Sequence, residues 1–286
     1  MQPPPEPAEP SALPRTTMFT GRLAVVTGAA RGIGAGVARA LAYHGASVVM
    51  VDVDAAGMER GAAAIAGDGA PEPTLLVGDI RDGATVGALA EKADERGGCD
   101  VLVNNVGDYR PAGPFVTSEP ADWQEMYAVN LEHVFRVTRA LLPSMISRRG
   151  GAIVNVSSVE GMRGIPGNAV YGAMKAAVVA FTASLAHEVG QFGVRVNAIA
   201  PDLTDTSQTP MWASTPARYA DHVGRWVPVG RFGHPRDQAD AVVFLASAQS
   251  AFITGETLRV DGGTLAAAGW FRRDAARFTN MPRPLG

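Results

Sequence analysis

The chain has 286 residues, 47% of them apolar and 19% charged, which suits one globular α/β domain with a single sizeable core and excludes a fibrous or disordered chain. Its formal net charge of −3 arises from scattered residues and leaves no basic footprint for nucleic acid, while the single cysteine, Cys99, excludes an internal disulfide and a thiolate metal site. No apolar run approaches the ~18 residues of a membrane span and the N-terminus lacks the parts of a signal peptide, so a cytoplasmic protein with a small-molecule partner is expected.

Residues 1–17, MQPPPEPAEPSALPRTT, are proline-rich and acidic and are expected to form an extended, disordered tail; Met18 is an equally good start. Residues 18–286 are expected to form one domain with a C-terminal extension from about 264. Seven short runs read as strands: LAVVTG, SVVMVD, PTLLVGD, DVLVNNVG, GAIVNVSS, VRVNAIAP and ETLRVDGG. They are nearly continuous in apolar character, as parallel strands buried on both faces are. Helices are expected near 32–44, 54–66, 82–96, 120–147, 168–190 and 235–248. Strand and helix alternating in this way predict a doubly wound, three-layer Rossmann-like sheet of seven mainly parallel strands, with ligands at the carboxyl ends of the strands. The long irregular segment between the sixth and seventh strands reads as a lid.

The turn after the first strand, TGAARGIG, sets Gly28, Gly32 and Gly34 at the opening of a helix, with Arg31 and Ile33 between them. Glycines there let backbone approach a pyrophosphate at a helix N-terminus. Asp52 ends the second strand about twenty residues on, where a carboxylate accepts both adenosine ribose hydroxyls and repels a 2′-phosphate, favouring NAD. The plain alternative is a helix-capping aspartate, a role for which Asp54 competes, and Arg31 is placed to serve a 2′-phosphate instead. Asp79 and Ile80, in GDI, and Asn104 to Gly107, in NNVG, each follow a strand at the adenine edge of such a site. The asparagines have a structural reading too, because their side chains stabilise turns.

Tyr171 lies thirteen residues after Ser158 and four before Lys175. Positions i and i+4 share a helix face, so phenol and ammonium point the same way, towards a serine at a strand end. A free tyrosine, with a pKa of about 10, is a poor base at neutral pH; a nearby cation lowers that value, so Lys175 is expected to activate Tyr171 for proton exchange with an alcohol or ketone. Ser158 would hold the substrate oxygen beside it. Alone, Y-x-x-x-K reads as an amphipathic helix with a snorkelling lysine.

Together these residues resemble the short-chain dehydrogenase/reductase family, in its single-domain Rossmann-like subtype. The family pattern T-G-x-x-x-G-x-G matches Thr27 to Gly34, N-N-A-G matches Asn104 to Gly107 with Val106 in place of alanine, and Y-x-x-x-K matches Tyr171 to Lys175. The resemblance implies a fourth catalytic position at Asn130, holding a water beside the lysine, with a helix-kink residue as the plain and compatible alternative, and contacts from Tyr171 and Lys175 to the nicotinamide ribose. It also implies cofactor contacts at Asn105, Val106, Gly107, Pro201 and Thr206, and a homo-oligomer, tetramer or dimer, built on the longest helices. One departure stands out: the family usually has Pro-Gly after the sixth strand, and here it is Pro201-Asp202.

Met211, Trp212 and Trp226 in the lid, with GDYRPAGPF after the fourth strand, suggest a hydrophobic or ring-bearing alcohol or ketone; lid core or subunit interface is the alternative. Trp270, Phe271 and Phe278 in the tail are placed to close a pocket or cover a neighbour. Three functions compete: an NAD-dependent secondary-alcohol dehydrogenase, a 3-ketoacyl-thioester reductase and a non-catalytic nucleotide-sensing protein. G-x-S-x-G is absent around Ser158, which disfavours a hydrolase. The five histidines show no metal spacing, read as surface or capping residues, and no metal is expected.

Overall fold

The computed structural model describes residues 16–110, 112–220, 222–269, 271–272 and 278–279. Residues 1–15 of the proline-rich tail and Trp270, on which expectations were placed above, lie outside the described residues, as does the side chain of Phe278.

Seven strands form one parallel sheet: β1 (Leu23–Thr27), β2 (Ser47–Asp52), β3 (Thr74–Val77), β4 (Val101–Asn104), β5 (Gly151–Val156), β6 (Val194–Pro201) and β7 (Thr257–Val260). Their order is β3-β2-β1-β4-β5-β6-β7. Side chains alternate across a strand, so continuous apolar runs feed two cores. Ala24, Val26, Met50, Val103 and Val154 face α1 (Gly32–Tyr43) and a later helix, Pro235–Ala246, through Val37, Leu41 and Val242. Val25, Val49, Leu102, Ile153 and Val196 face the opposite layer. That layer contains α3 (Gly83–Asp94), which follows α2 (Ala55–Gly67) in the chain. Because β1 lies between β2 and β4, the winding reverses there and a crevice opens beyond their carboxyl ends.

The single helix expected over 120–147 is interrupted. α4 (Pro120–Tyr127) and α5 (His133–Ser147) are joined by a π-helical turn, Ala128–Glu132, which contains Asn130. Asn130 Nδ2 donates to the Met126 and Asp108 carbonyls, and its Oδ1 accepts from the Asp108 N–H, so its side chain replaces regular helical bonding. His133, at the start of α5, is fully buried beside the Val129 and Val106 backbone, rather than a surface or capping residue. Burial and the nearby Lys175 pull its pKa down to about 4, so it is neutral. His234, by contrast, does cap a helix, accepting from Arg236 N–H.

α6 (Ala169–Val189) lies against β6 and β5 through Val178, Thr182, Leu185, Ala186 and Val189. Extended to Phe192 it is long and apolar enough to cross a membrane by length and composition alone, a test that the core helices of water-soluble proteins also pass. Only 28% of its most apolar window is buried, leaving an open face of small and apolar residues. Between β6 and β7 the segment read as irregular contains three one-turn helices, α7 (Met211–Ser214), α8 (Ala217–Ala220) and α9 (Val223–Trp226), before α10 (Pro235–Ala246). Arg195 secures the end of α10 by donating to the Leu245, Ala246 and Ser247 carbonyls, groups that no intrahelical donor reaches. Beyond α11 (Thr264–Ala267), Phe271–Arg272 pairs antiparallel with Phe278–Thr279.

Leu102 sits at the centre of the sheet with no exposure. Leu102→Ala removes buried methyl groups and leaves a cavity between β4 and the α5 layer, so it should lower the unfolding free energy by about 2–5 kcal/mol in a denaturant titration.

Candidate active site

The turn after β1 takes its shape from positive φ at Gly28 (+66°) and Gly32 (+55°), which L-residues rarely adopt. Gly34 is required by space: a Cβ there would lie 2.0 Å from the Gly28 carbonyl oxygen. Asn105, just past β4, fixes this turn from the other side of the crevice. Its Nδ2 donates to the Thr27 and Gly28 carbonyls at 3.0 and 3.1 Å, and its backbone N–H donates to Thr27 Oγ1 at 3.0 Å. Asn104 points into the protein, donating to Thr138 and Asn155. No side chain caps α1, so the first N–H groups of that helix face the crevice and are available to an anion.

Asp52 sits at the rim of this turn. Its carboxylate accepts from Ala30 N–H and Asp54 N–H, both at 3.0 Å, and still lines the cleft. Asp54, not Asp52, caps α2 by accepting from Gly57 N–H. Arg31, Gly32, Ile33, Ile80, Val106, Pro201 and Thr206 line the same cleft, a space of about 560 Å³. Thr206 lies directly over Gly32, where an added Cβ would come within 3.4 Å of it. Asp79 also lines the cleft, but both its oxygens are engaged by the Arg81 guanidinium at 2.7 to 3.0 Å. That guanidinium bonds Glu125 as well and holds the Asp79 carboxyl below the usual carboxylate range.

The other half of the cleft contains Ser158, Tyr171 and Lys175. Ser158 ends the extension of β5; its Oγ accepts from Glu160 N–H at 3.2 Å, and it lies close enough to the Tyr171 phenol to favour its ionised form. Ser157, its neighbour, is turned inward and donates to the Lys175 carbonyl at 2.8 Å, fixing α6 to β5. Lys175 is buried; its Nζ donates to the Val156 carbonyl at 3.1 Å and stands 5.7 Å from the Tyr171 ring centre. A Cβ on Gly107 would lie 2.8 Å from Lys175 Nζ and 3.1 Å from Asn130 Oδ1, so the loop after β4 needs glycine to let these groups meet. Asn130 is brought up behind the lysine but does not line the cleft.

The expected drop in the Tyr171 pKa does not occur. Burial pushes the phenol up to about 12, and Glu160, Asp108 and Asp202 push the same way against the nearby Ser158. Burial also pulls the Lys175 ammonium down to about 8. Tyr171 is therefore a protonated phenol at neutral pH, suited first to donating a proton.

Of the residues proposed for the substrate, Tyr109 packs edge-on to Tyr171 at 6.5 Å, and Asp108 and Met211 line the cleft. Trp212 does not: it packs on Phe232 at 4.6 Å within the lid's own small core of Val223 and Val227. Trp226 is exposed outside the cleft, and Phe115 stacks on Trp123 at 5.5 Å. The tryptophan argument for a ring-bearing substrate therefore falls, because these rings form lid core or surface. Sequence reading passed over Arg81, Glu160 and Gln208; position just after a strand end flags the first two, and Gln208, which donates to the Gly107 carbonyl at 3.2 Å, had no signal. Among the described residues no group of three or more His, Cys, Asp or Glu is arranged to hold a metal.

A sequence profile described as enoyl-(acyl carrier protein) reductase, of the short-chain dehydrogenase/reductase class, matches residues 28–264. The 3-oxoacyl-[acyl-carrier-protein] reductase of Vibrio harveyi is 41% identical over 246 residues, covering 85% of this chain and 97% of that protein. Among solved structures, a gluconate 5-dehydrogenase from Burkholderia cenocepacia J2315 in complex with NADP and tartrate superposes with a TM-score of 0.80 at 35% identity, over 88% of this chain and 98% of that one. A 3-oxoacyl-[acyl-carrier protein] reductase with bound NAD from Brucella melitensis gives 0.79 at 34% identity, over 90% and 96%.

Loss of the Lys175 proton removes the cation beside Tyr171. Its pKa is depressed, so the ammonium is present below about pH 8 and lost above it. The rate of ketone reduction should be level below that value and fall above it. In Lys175→Arg, whose guanidinium stays charged, residual activity should lack this break in a pH–rate profile.

Proposed function

The chain belongs to the short-chain dehydrogenase/reductase family and is an oxidoreductase of CH–OH groups that works with a nicotinamide cofactor; from that premise we propose that the cofactor is NAD and that Tyr171, Ser158, Lys175 and Asn130 carry the proton chemistry. The observation that carries this reading is Tyr171 beside Ser158, with the Lys175 amine buried 5.7 Å from its ring centre, in one cleft with the glycine turn.

The cofactor, when bound, supplies or accepts the hydride. The side chains do the rest. Ser158 donates a hydrogen bond to the ketone oxygen and orients it; Tyr171 gives that oxygen its proton as the carbon gains hydride, and the product is a secondary alcohol. The phenolate so formed is stabilised by Lys175 until it regains a proton from the Asn130 side. In alcohol oxidation every transfer reverses. Glycines at 28, 32 and 34 admit the pyrophosphate to the N-terminus of α1, and Arg31, Ile33, Asp79, Ile80, Asn105, Val106, Gly107, Pro201 and Thr206 complete the nucleotide wall.

Asp52 supports NAD over NADP, because a carboxylate at this rim accepts ribose hydroxyls and repels a 2′-phosphate. A second reading, reduction of a 3-oxoacyl thioester, is favoured by the Vibrio harveyi and Brucella melitensis proteins and uses the same side chains. Residues 18–286 are proposed to work as one domain in the cytoplasm, and the open face of α6 supports assembly with further copies of the chain.

Tyr171→Phe should lower turnover by about a thousandfold while NADH fluorescence titration gives nearly the wild-type affinity; normal turnover would sink the mechanism. Separate titrations should find NADPH at least about tenfold weaker than NADH, with the gap narrowed in Asp52→Asn. Tighter NADPH binding by the wild type would remove Asp52 as the selector.

A further inference from the structure

Asp202 stands where the family pattern has glycine, at the end of β6, and it is held firmly. Its side chain is 6% exposed. Oδ2 accepts from Arg163 at 3.0 Å and from Thr264 Oγ1 at 2.5 Å, while Oδ1 accepts from Leu203 N–H at 2.9 Å. The carboxylate therefore cannot swing out of the wall it lines.

Two further carboxylates line the same half of the cleft, Asp108 from the loop after β4 and Glu160 from the loop after β5. Each has an arginine partner set back from the lining: Arg110 pairs with Asp108 at 3.0 Å, and Arg163 is shared between Glu160 at 2.9 Å and Asp202. Three carboxylate residues thus line this half of the cleft, Asp202 with its side chain almost wholly buried, against two arginines behind them. Lys175 is buried below Tyr171, and Arg31 and Arg81 lie at the nucleotide end. The three acids act on one point, since each pushes the Tyr171 phenol in the same direction.

We propose that Asp202, completing an acidic collar with Asp108 and Glu160, is the specificity-determining residue that restricts this site to neutral or cationic ketones and alcohols and turns away substrates with a carboxylate near the reacting carbon. The inference rests on the ketone reductase reading of the Tyr171 cleft; the collar adds the charge of what enters. A substrate carboxylate loses water to enter a wall that offers it no free cation, whereas a hydroxyl or ammonium finds acceptors there.

The test compares three ketones of similar shape with NADH: 4-oxocyclohexanecarboxylate, its methyl ester and 4-aminocyclohexanone. In the wild type, kcat/KM for the ester and the amine should exceed that for the carboxylate by at least about tenfold. Asp202→Asn, and Asp202→Gly as a second variant in case the first is poorly folded, should shrink that ratio severalfold through KM for the carboxylate. Equal turnover of carboxylate and ester by the wild type would overturn the collar, as would an unchanged ratio in both folded variants. If NADH binds but none of the ketones is reduced, the reductase reading fails. Calorimetric binding of the three compounds to the complex with NAD then judges the collar alone, and carboxylate binding as tight as the ester would reject it.

Discussion

The site depends on how closely the backbone after β1 approaches the loop after β4. Where the winding of a parallel sheet reverses, two neighbouring strands send their chains apart and leave a crevice with nothing to hold its edges. Here Asn105 bridges it, donating to two carbonyls of the glycine turn while Thr27 Oγ1 accepts its N–H. That contact leaves no room for side chains at 28 and 34, where an added Cβ would press on Asn105 or on the Gly28 carbonyl. The glycines are thus shaped by the protein's own packing as much as by any ligand. The same loop continues through Gly107, whose lack of a side chain lets Lys175 and Asn130 come together.

Burial sets the chemistry of the opposite wall. Lys175 gains one carbonyl acceptor in exchange for its water shell, which explains why its ammonium is held on weakly. Tyr171 is subject to the same desolvation with the opposite consequence, since its charged form is the one lost on deprotonation. Burial disfavours both charges, but a Lys175 pKa of about 8 still leaves the ammonium at neutral pH, beside a neutral phenol. Carboxylates at 108, 160 and 202 deepen that preference.

Much of this was legible in the sequence because it follows from periodicity and turn chemistry. Seven strands and the helical stretches between them were readable from apolar runs and alanine-rich segments, with 120–147 read as one helix instead of two, and TGAARGIG and Y-x-x-x-K marked the two halves of the cleft. What was not legible came from long-range pairing. A kink at Asn130 was among the readings of that residue, but its π form goes with bonds to Asp108, a residue 22 positions earlier, which no local pattern announces. The lid tryptophans have the composition of a ligand wall, yet Trp212 found Phe232. The sign of the Tyr171 shift was misjudged because i, i+4 spacing reports the cation and not the burial or the three acids around it.

The bond from Thr264 to Asp202 spans 62 positions, and Asp202 in turn holds Arg163, 39 positions earlier. A chain growing from its N-terminus on the ribosome therefore completes the two walls at different times. The glycine turn, Asp52 and Asn105 are all present once β4 has emerged. The acidic wall lacks its last tie until β7 and the residues just beyond it have followed. The glycine side of the cleft is thus tied together by contacts within the first half of the chain, whereas the acidic wall is closed only by a contact from its far end.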